Sequence, residues 1–291
     1  MTVGAVVTGL AALFALAGSV AGAASTRAVI AFGSERGGPV RIHVLGLNPG
    51  AQRVLQSRGP GMDVQPSWAP DGRHLAIATS DATGQDFDIA IVAANGSGRK
   101  RITTGAAWDE EPAWSPNGKW IAFASDRSGD FEIYAVRPDG TGLRQLTSNS
   151  CEDTEPSWSP DGSRIVFTSR RGGFPHLWTM NADGTKERKL VKAPSSSPAW
   201  SPDGTTIAYV SDADGDNEIF TVSASGRDRT QLTENDAITD QGPAWSPDST
   251  MLAFTSDRDG DADVLVMRAD GSQAHVLVSG VWTDDSPAWR R

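Results

Sequence analysis

The chain has 291 residues, with 36 acidic against 26 basic side chains, a net charge of −10 and a pI near 4.9. That balance argues against nucleic acid as a partner, because phosphate recognition needs a basic footprint; negative charge is otherwise a common means of staying soluble. Ten tryptophans and 31 glycines suit many short strands joined by tight turns, and the single Cys151 excludes an internal disulfide.

Residues 1–25 carry no charged side chain and are rich in Ala, Val, Leu and Gly. Ala21-Gly22-Ala23 is an A-x-A site of the kind signal peptidase cuts, so residues 1–25 read as a signal peptide and residues 26–291 as one domain. No Lys or Arg precedes the apolar run, as a late-called start codon would explain. If uncleaved, the run is near spanning length and would act as a membrane anchor. Export followed by cleavage, to the periplasm or the medium, is the expectation.

Residues 27–54 form a unit of three strands, over 28–32, 41–45 and 53–55, with turns at Ser34-Glu35-Arg36-Gly37-Gly38 and Asn48-Pro49-Gly50. Five complete units follow, opening at Trp68, Trp114, Trp158, Trp200 and Trp245, and a sixth tryptophan, Trp289, stands near the end. Each of these six residues lies two positions after a proline, at spacings of 46, 44, 42, 45 and 44. A period of about 40–50 residues is the mark of a propeller or array.

Within a unit the order is an inner strand ending at Trp, a turn, a strand such as 120–124, a loop, a strand such as 132–136, a turn, and a short strand such as 144–147. This is a four-stranded antiparallel meander. Asp71-Gly72, Asn117-Gly118, Asp161-Gly162 and Asp203-Gly204 supply hairpin residues that tolerate positive φ, with Asp248-Ser249 the weaker copy. Residues 284–289 are an inner strand with nothing after it, and residues 27–54 lack that opening. Joining them predicts an all-β, six-bladed propeller whose last blade is built from both chain ends, closing the ring and removing exposed edges. A monomer is expected.

The strings WSPDG, IAFASDRSGDFEIY, RPDG and RQLT, all in the unit at Trp114, resemble the TolB-type propeller repeat, also called PD40 and WD40-like. The resemblance covers residues 27–291 in six phased copies and implies the propeller domain alone, without the α/β domain that precedes it in the family's namesake. It also implies that a metal ion can sit in the central channel.

In a meander the first and third connections share one face of the disc; the second connection and the blade-to-blade link share the other. The first face carries short, uniform turns. The second carries loops of varied length and chemistry, where binding usually resides. Its inner rim is set by the residue three before each proline: Asp63, Asp109, Asp153, Ser195, Asp240 and Asp284. These carboxylates either pin their own loops by bonding nearby backbone N–H groups or hold a cation or basic side chain in the channel mouth. Oxygen-only ligands would favour calcium or magnesium over zinc.

The loops between second and third strands add Asp212, Asp214, Asp216 and Glu218 in one unit and Asp257, Asp259, Asp261 and Asp263 in the next. The D-x-D-G-D pattern resembles a calcium loop. The EF-hand rule fails, since its sixth and twelfth positions are Asn217 and Ser223 or Ala262 and Arg268. The equivalent SDRSGDF loop favours a family turn instead. The loop at Arg170 and Arg171 is basic and ends in Phe174-Pro175. Trp108 and Trp282 precede inner strands outside the repeated position and read as interface anchors, sugar-stacking platforms or packing under the link. The repeated tryptophans read as core.

His43, His74, His176 and His275 fall at different points of the unit and would not converge on one metal, and no GxSxG elbow occurs. The expectation is an exported, non-enzymatic scaffold that holds a protein partner on its variable face, through Asp63, Asp109, Asp153, Asp240, Asp284, Trp108, Trp282, Arg170 and Arg171. No cofactor is expected beyond a calcium ion in the channel. The alternatives are a carbohydrate or small-ligand binder, and a propeller lyase or hydrolase acting at the channel mouth.

Overall fold

The computed structural model describes residues 29–36, 38–46, 52–54, 61–84, 86–213 and 215–290. The signal-peptide segment, the turn at 48–50 and Asp214 lie outside the described residues. Among those described, 24 strands form and no helix is long and apolar enough to cross a membrane.

The blade opening at Trp114 shows how the repeat folds. β8 (Asp109–Trp114), β9 (Ile121–Ser125), β10 (Glu132–Val136) and β11 (Arg144–Gln145) pair as an antiparallel meander with β8 innermost. Every residue of β9 and β10 is buried, as a strand sandwiched on both faces requires. The outer strand is shorter than the sequence suggests. Leu146 and Thr147 both send their amides to the Ile133 carbonyl, at 2.7 and 3.3 Å, while the Thr147 hydroxyl accepts from the Ile133 amide at 2.8 Å. The hydroxyl thus ends the ladder after two residues.

Four more blades repeat this plan: β4 (Asp63–Trp68) to β7 (Lys100–Arg101) through β5 (His74–Ser80) and β6 (Phe87–Ala93); β12 (Asp153–Trp158) to β15 (Arg188–Lys189) through β13 (Arg164–Ser169) and β14 (His176–Asn181); β16 (Ser196–Trp200) to β19 (Thr230–Gln231) through β17 (Thr206–Ser211) and β18 (Glu218–Ser223); and β20 (Asp240–Trp245) to β23 (His275–Val278) through β21 (Met251–Ser256) and β22 (Asp263–Arg268). The sixth joins the chain ends: β24 (Asp284–Trp289) pairs with β1 (Val29–Ser34), then β2 (Arg41–Gly46) and β3 (Gln52–Val54). Its register sets Ile30 against Trp289 and Ser34 against Asp284. The closure expected from sequence is the one observed.

The described core is six clusters, each shared by two neighbouring blades. Phe87 and Ile89 pack with Trp114, Phe123 and Tyr134, and across the closing blade Ile30, Phe32 and Trp289 pack with Val264 and Val266. The repeated tryptophans are 3–9 % exposed and sit in these seams. Trp68, Trp158 and Trp245 also donate their indole N–H to the preceding blade's inner strand, at Ala288, Ala113 and Ala199 O, 3.0–3.1 Å.

Removing residues 284–291 therefore strips β1 of its inner partner and opens two seams at once. The truncated chain is expected to lose its cooperative melting transition and to elute as aggregate in size-exclusion chromatography. A monomeric truncation with an unchanged melting temperature would show that β24 does not seal the ring.

Candidate functional site

The second connections and the links meet on one face by hydrogen bonds that follow from the topology. The Trp108 amide bonds Asp126 Oδ1 at 2.8 Å, the Asp126 amide returns to Trp108 O at 3.3 Å, and the Asp153 amide bonds Phe131 O at 2.7 Å. Link and loop brace each other, which seats the first residue of each inner strand beneath them.

Those first residues are the acidic rim, and all are buried: Asp63, Asp109, Asp153, Asp240 and Asp284 are 0–2 % exposed, as is Ser195. Each of the five carboxylates has an arginine. One guanidinium nitrogen of Arg127 reaches both oxygens of Asp109 at 2.7 Å, with the Ser125 hydroxyl adding a bond at 2.6 Å. Arg36 bonds Asp284 at 2.6 Å, Arg171 bonds Asp153 and Glu187, and Arg258 stands 3.7 Å from Asp240. These four arginines come from one place, two residues after the serine that ends β1, β9, β13 or β21.

The loop after β5 carries no arginine; there Asp63 is held by Arg99, from just before β7, which bonds Asp63 Oδ2 at 2.8 Å. The loop after β17 has Ala213 in the arginine position, and in that blade the rim residue is Ser195, whose hydroxyl accepts from the Leu177 amide at 3.0 Å and donates to Ala193 O at 3.1 Å. Rim charge and loop arginine are lost together. The rim is thus a ring of ion pairs, with arginine side chains 21–32 % exposed at its surface. Arg171 belongs to this ring, whereas Arg170 lies outside it, paired with Glu152 at 2.9 Å on the open surface.

A second ring lies two residues further along. Gln65, Glu111, Glu155, Ser197, Gly242 and Ser286 each precede the repeated proline and have φ between 50° and 62°. Each sits at a break in register between the first two strands of its blade, a bulge that re-aims a side chain. The Glu111 amide donates to Gln65 Oε1 at 2.9 Å, the Glu155 amide to Glu111 Oε2 at 2.6 Å, and the Ser197 amide to Glu155 Oε2 at 2.6 Å. Burial, and then the Glu155 and Glu110 charges, push the Glu111 carboxyl well above its ordinary range. Sequence reading passed over this ring because it varies in residue type while its backbone geometry repeats.

A third set of acids starts or nearly starts the third strands. Asp88 bonds Arg101 at 2.6 Å; Glu132 accepts from the Asn149 amide and side chain; Glu218 accepts from Thr233 and from the Asn235 amide at 2.7 Å. Burial raises Glu132 to about 7, with the neighbouring Asp153 and Asp130 adding to the rise. Asp263, in the same position of its blade, meets no backbone or link donor on either oxygen, and its side-chain neighbour is the Asp259 carboxyl. Among the described residues, one group of three His, Cys, Asp or Glu side chains brings ligand atoms within 4.8 Å of one another: Asp259, Asp261 and Asp263. The four histidines are apart, His43 stacked on Phe32 and His74 bonded to Asp71.

Beyond the rim, Trp108 stacks on Phe87 at 5.3 Å and donates to Glu110 at 3.0 Å, so it is half platform and half packing. Trp282, Val281 and Phe174 are the other exposed large hydrophobics of this face, and Leu143 is exposed on the turn face.

Known proteins agree with this architecture. The family model described as the TolB beta propeller domain matches residues 23–144, 129–196 and 190–290. TolB from Acinetobacter baumannii superposes with a TM-score of 0.79 at 24% identity, over 90% of this chain and 66% of that one, so the chain spans just under two thirds of that protein's length. A TolB candidate from Agrobacterium tumefaciens gives 0.71 at 24% identity, over 88% and 90%. The oligogalacturonate lyase of Vibrio parahaemolyticus gives 0.58 at 16% identity, over 78% and 71%. No curated protein matches the sequence.

Two outcomes follow from the rings. Arg127→Ala strands the buried Asp109 charge and should cost about 3–5 kcal/mol in urea unfolding, while the pair Asp109→Ser with Arg127→Ala, which copies Ser195 and Ala213, should recover most of it; equal losses for both would show that the ion pair is not what the buried acid depends on. For Glu132, a folded value of about 7 against an ordinary 4.5 means that its contribution is complete below about 4.5 and lost as pH rises through 7. Glu132→Gln should flatten stability across that window and raise it at pH 8, by at most about 3 kcal/mol, as read by melting against pH.

Proposed function

The chain belongs to the TolB β-propeller family, and from that membership we propose that it is an exported, non-enzymatic scaffold that holds a protein partner on the face formed by its second connections and links. The observation that carries this reading is where the exposed apolar side chains stand. Of the five large hydrophobics exposed among the described residues, Trp108, Phe174, Val281 and Trp282 stand on the loop face and Leu143 alone on the turn face. Phe174 is 67% and Val281 83% exposed, at loop tips where nothing in the fold requires them. Exposed apolar groups rimmed by charge mark association surfaces, and aromatic and arginine side chains are the usual anchors.

The rim supports the same reading. Asp63, Asp109, Asp153, Asp240 and Asp284 have their charge matched by arginine, so they act as the rigid floor under the loops. The partner contacts fall to Trp108, Phe174, Trp282 and the surface charge of Arg170, with the outer edges of the rim arginines, Arg171 among them, as polar contacts. The Ala21-Gly22-Ala23 sequence and membership of the TolB propeller family support export to the periplasm as part of this reading.

Affinity capture from an envelope extract tests this. The wild-type chain should retain one protein, and Phe174→Ser with Trp282→Ser should weaken that retention at least about 30-fold, the effect of losing a hot spot of ~2 kcal/mol, with an unchanged melting temperature. Retention lost instead on Leu143→Ser would move the binding surface to the turn face and overturn the proposal.

A further inference from the structure

The four acids that stand opposite the last or last-but-one residues of the second strands form a comparison set inside one molecule. Thr79 pairs with Asp88, Ser125 with Glu132, Ser211 with Glu218 and Ser256 with Asp263. All four acids are 0–1 % exposed, and a carboxylate so deep must be hydrogen-bonded, paired or bound to a cation.

Three of them are satisfied by the strand and link that follow. Asp88 takes Arg101. Glu132 takes the Asn149 amide and side chain, Nδ2 at 3.2 Å, next to Thr147; Glu218 takes Thr233 and, from Asn235, the amide at 2.7 Å and Nδ2 at 3.2 Å. In the fifth blade Leu265 pairs with Val276 as Tyr134 pairs with Gln145. That register puts Val278 where Thr147 stands and Gly280 where Asn149 stands. Both donors are gone, and neither oxygen of Asp263 meets a backbone, hydroxyl, amide or cationic donor; its side-chain neighbour is the Asp259 carboxyl.

In the same blade one acid is added beside that carboxylate, while Asp261 keeps the position of Asp130. The loop Ser125-Asp126-Arg127-Ser128-Gly129-Asp130 becomes Ser256-Asp257-Arg258-Asp259-Gly260-Asp261, so Asp259 replaces Ser128. Gly260, at φ 107°, lets the loop fold back so that carboxylate oxygens of Asp259, Asp261 and Asp263 lie within 4.8 Å of one another. Arg258 is turned away, its Nε on the Ser256 hydroxyl at 3.1 Å and its outer nitrogen toward Asp240. From the next inner strand, the Asp284 amide bonds Ala262 O at 2.7 Å, and Arg36 holds Asp284 Oδ2.

We propose that Asp259, Asp261 and Asp263 bind a calcium ion in the loop between β21 and β22, with the buried Asp263 as the inner ligand. Calcium takes six to eight oxygens at about 2.3–2.6 Å in flexible geometry, so two of its ligands stand up to about 5 Å apart, as these carboxylates do. Asp259 is exposed, which leaves an open side for water ligands. All-oxygen donors on a loop suit calcium better than zinc or copper. The cation takes the place of the threonine and asparagine donors that this blade lacks and pins the loop beside the closing strand β24.

The test uses the full chain, stripped with EGTA and titrated with calcium chloride. Calorimetry should show one site, and calcium about tenfold above its dissociation constant should raise the melting temperature by about 3–5 °C. Asp259→Asn with Asp261→Asn should abolish both the heat and the shift. Val278→Thr with Gly280→Asn, which restores the donors where an added Cβ meets nothing closer than 3.4 Å, should raise the melting temperature in EGTA and shrink the calcium shift. No heat at 5 mM calcium (about five times the weakest extracellular sites), or a shift that survives the paired Asn variant, would overturn the assignment.

Discussion

A four-stranded sheet that is apolar on both faces has no stable existence by itself, and every blade here is such a sheet. Phe123 and Ala122 lie next to each other on β9 yet belong to different seams, one toward β5 and β6, the other toward β13 and β14. Six seams must therefore be filled at once, and this is possible only if the last blade meets the first. The β24–β1 pairing follows from that demand, and it is the only blade that draws on both chain ends. The same demand leaves each sheet with one free edge, on the outside. Four of those edges are two residues long and polar, Lys100-Arg101, Arg144-Gln145, Arg188-Lys189 and Thr230-Gln231, which discourages strand addition by another molecule; the other two are Gln52–Val54 and the more apolar His275–Val278.

Closure puts the six inner strands side by side with no room for a second layer, so their polar groups must satisfy one another around the ring. The bulge before the proline does this across four of the six blades. It forces a left-handed residue where a non-glycine side chain costs of order 1–3 kcal/mol, and returns a contact from blade to blade: Gln65 to Glu111, Glu111 to Glu155, Glu155 to Ser197. At Gly242 the residue type suits the φ of 62° and brings no side chain to continue the chain of bonds. The strain at the other positions is tolerated because the tryptophan seams on either side fix both blades.

The fold was legible because its signals are local and recur. Pro-x-Trp, Asp-Gly and the buried apolar strand each state a backbone requirement within a few residues, and six phased copies leave one architecture. The rim acids were legible by phase, but not what they do, since an aspartate that caps a loop, holds a cation or pairs with arginine has the same letter in the sequence. The signal that separates these was present: Arg36, Arg127, Arg171 and Arg258 recur two residues after a strand-ending serine. Arg99 had no such signal, because it reaches Asp63 from another strand and only the folded side chain shows it. Exposure was the least legible property. Phe174 and Trp108 are both loop aromatics, and only the stacking of Trp108 on Phe87 separates partial packing from a free tip.

A repeat protein carries its own controls, and the departures from the repeat divide into two kinds. Ser195 replaces a rim acid in the blade where Ala213 replaces the arginine, so the rim acid and its loop arginine are lost together and the loss is matched. Asp263 is the other kind. Its blade lacks the threonine and asparagine that serve Glu132 and Glu218, no donor among the described residues replaces them, and the Asp259 and Asp261 carboxylates stand beside it. A matched departure is drift within the scaffold, because the energetic demand of the buried group is met from inside. An unmatched one leaves the desolvation of the buried charge uncompensated within the chain, so the group either keeps a proton or is served from outside. The same reasoning applies to the loop tips, where Phe174 and Val281 expose apolar surface that no neighbouring blade covers. Scaffold and function are therefore separable by asking, blade by blade, which residue's requirements the fold itself leaves unmet.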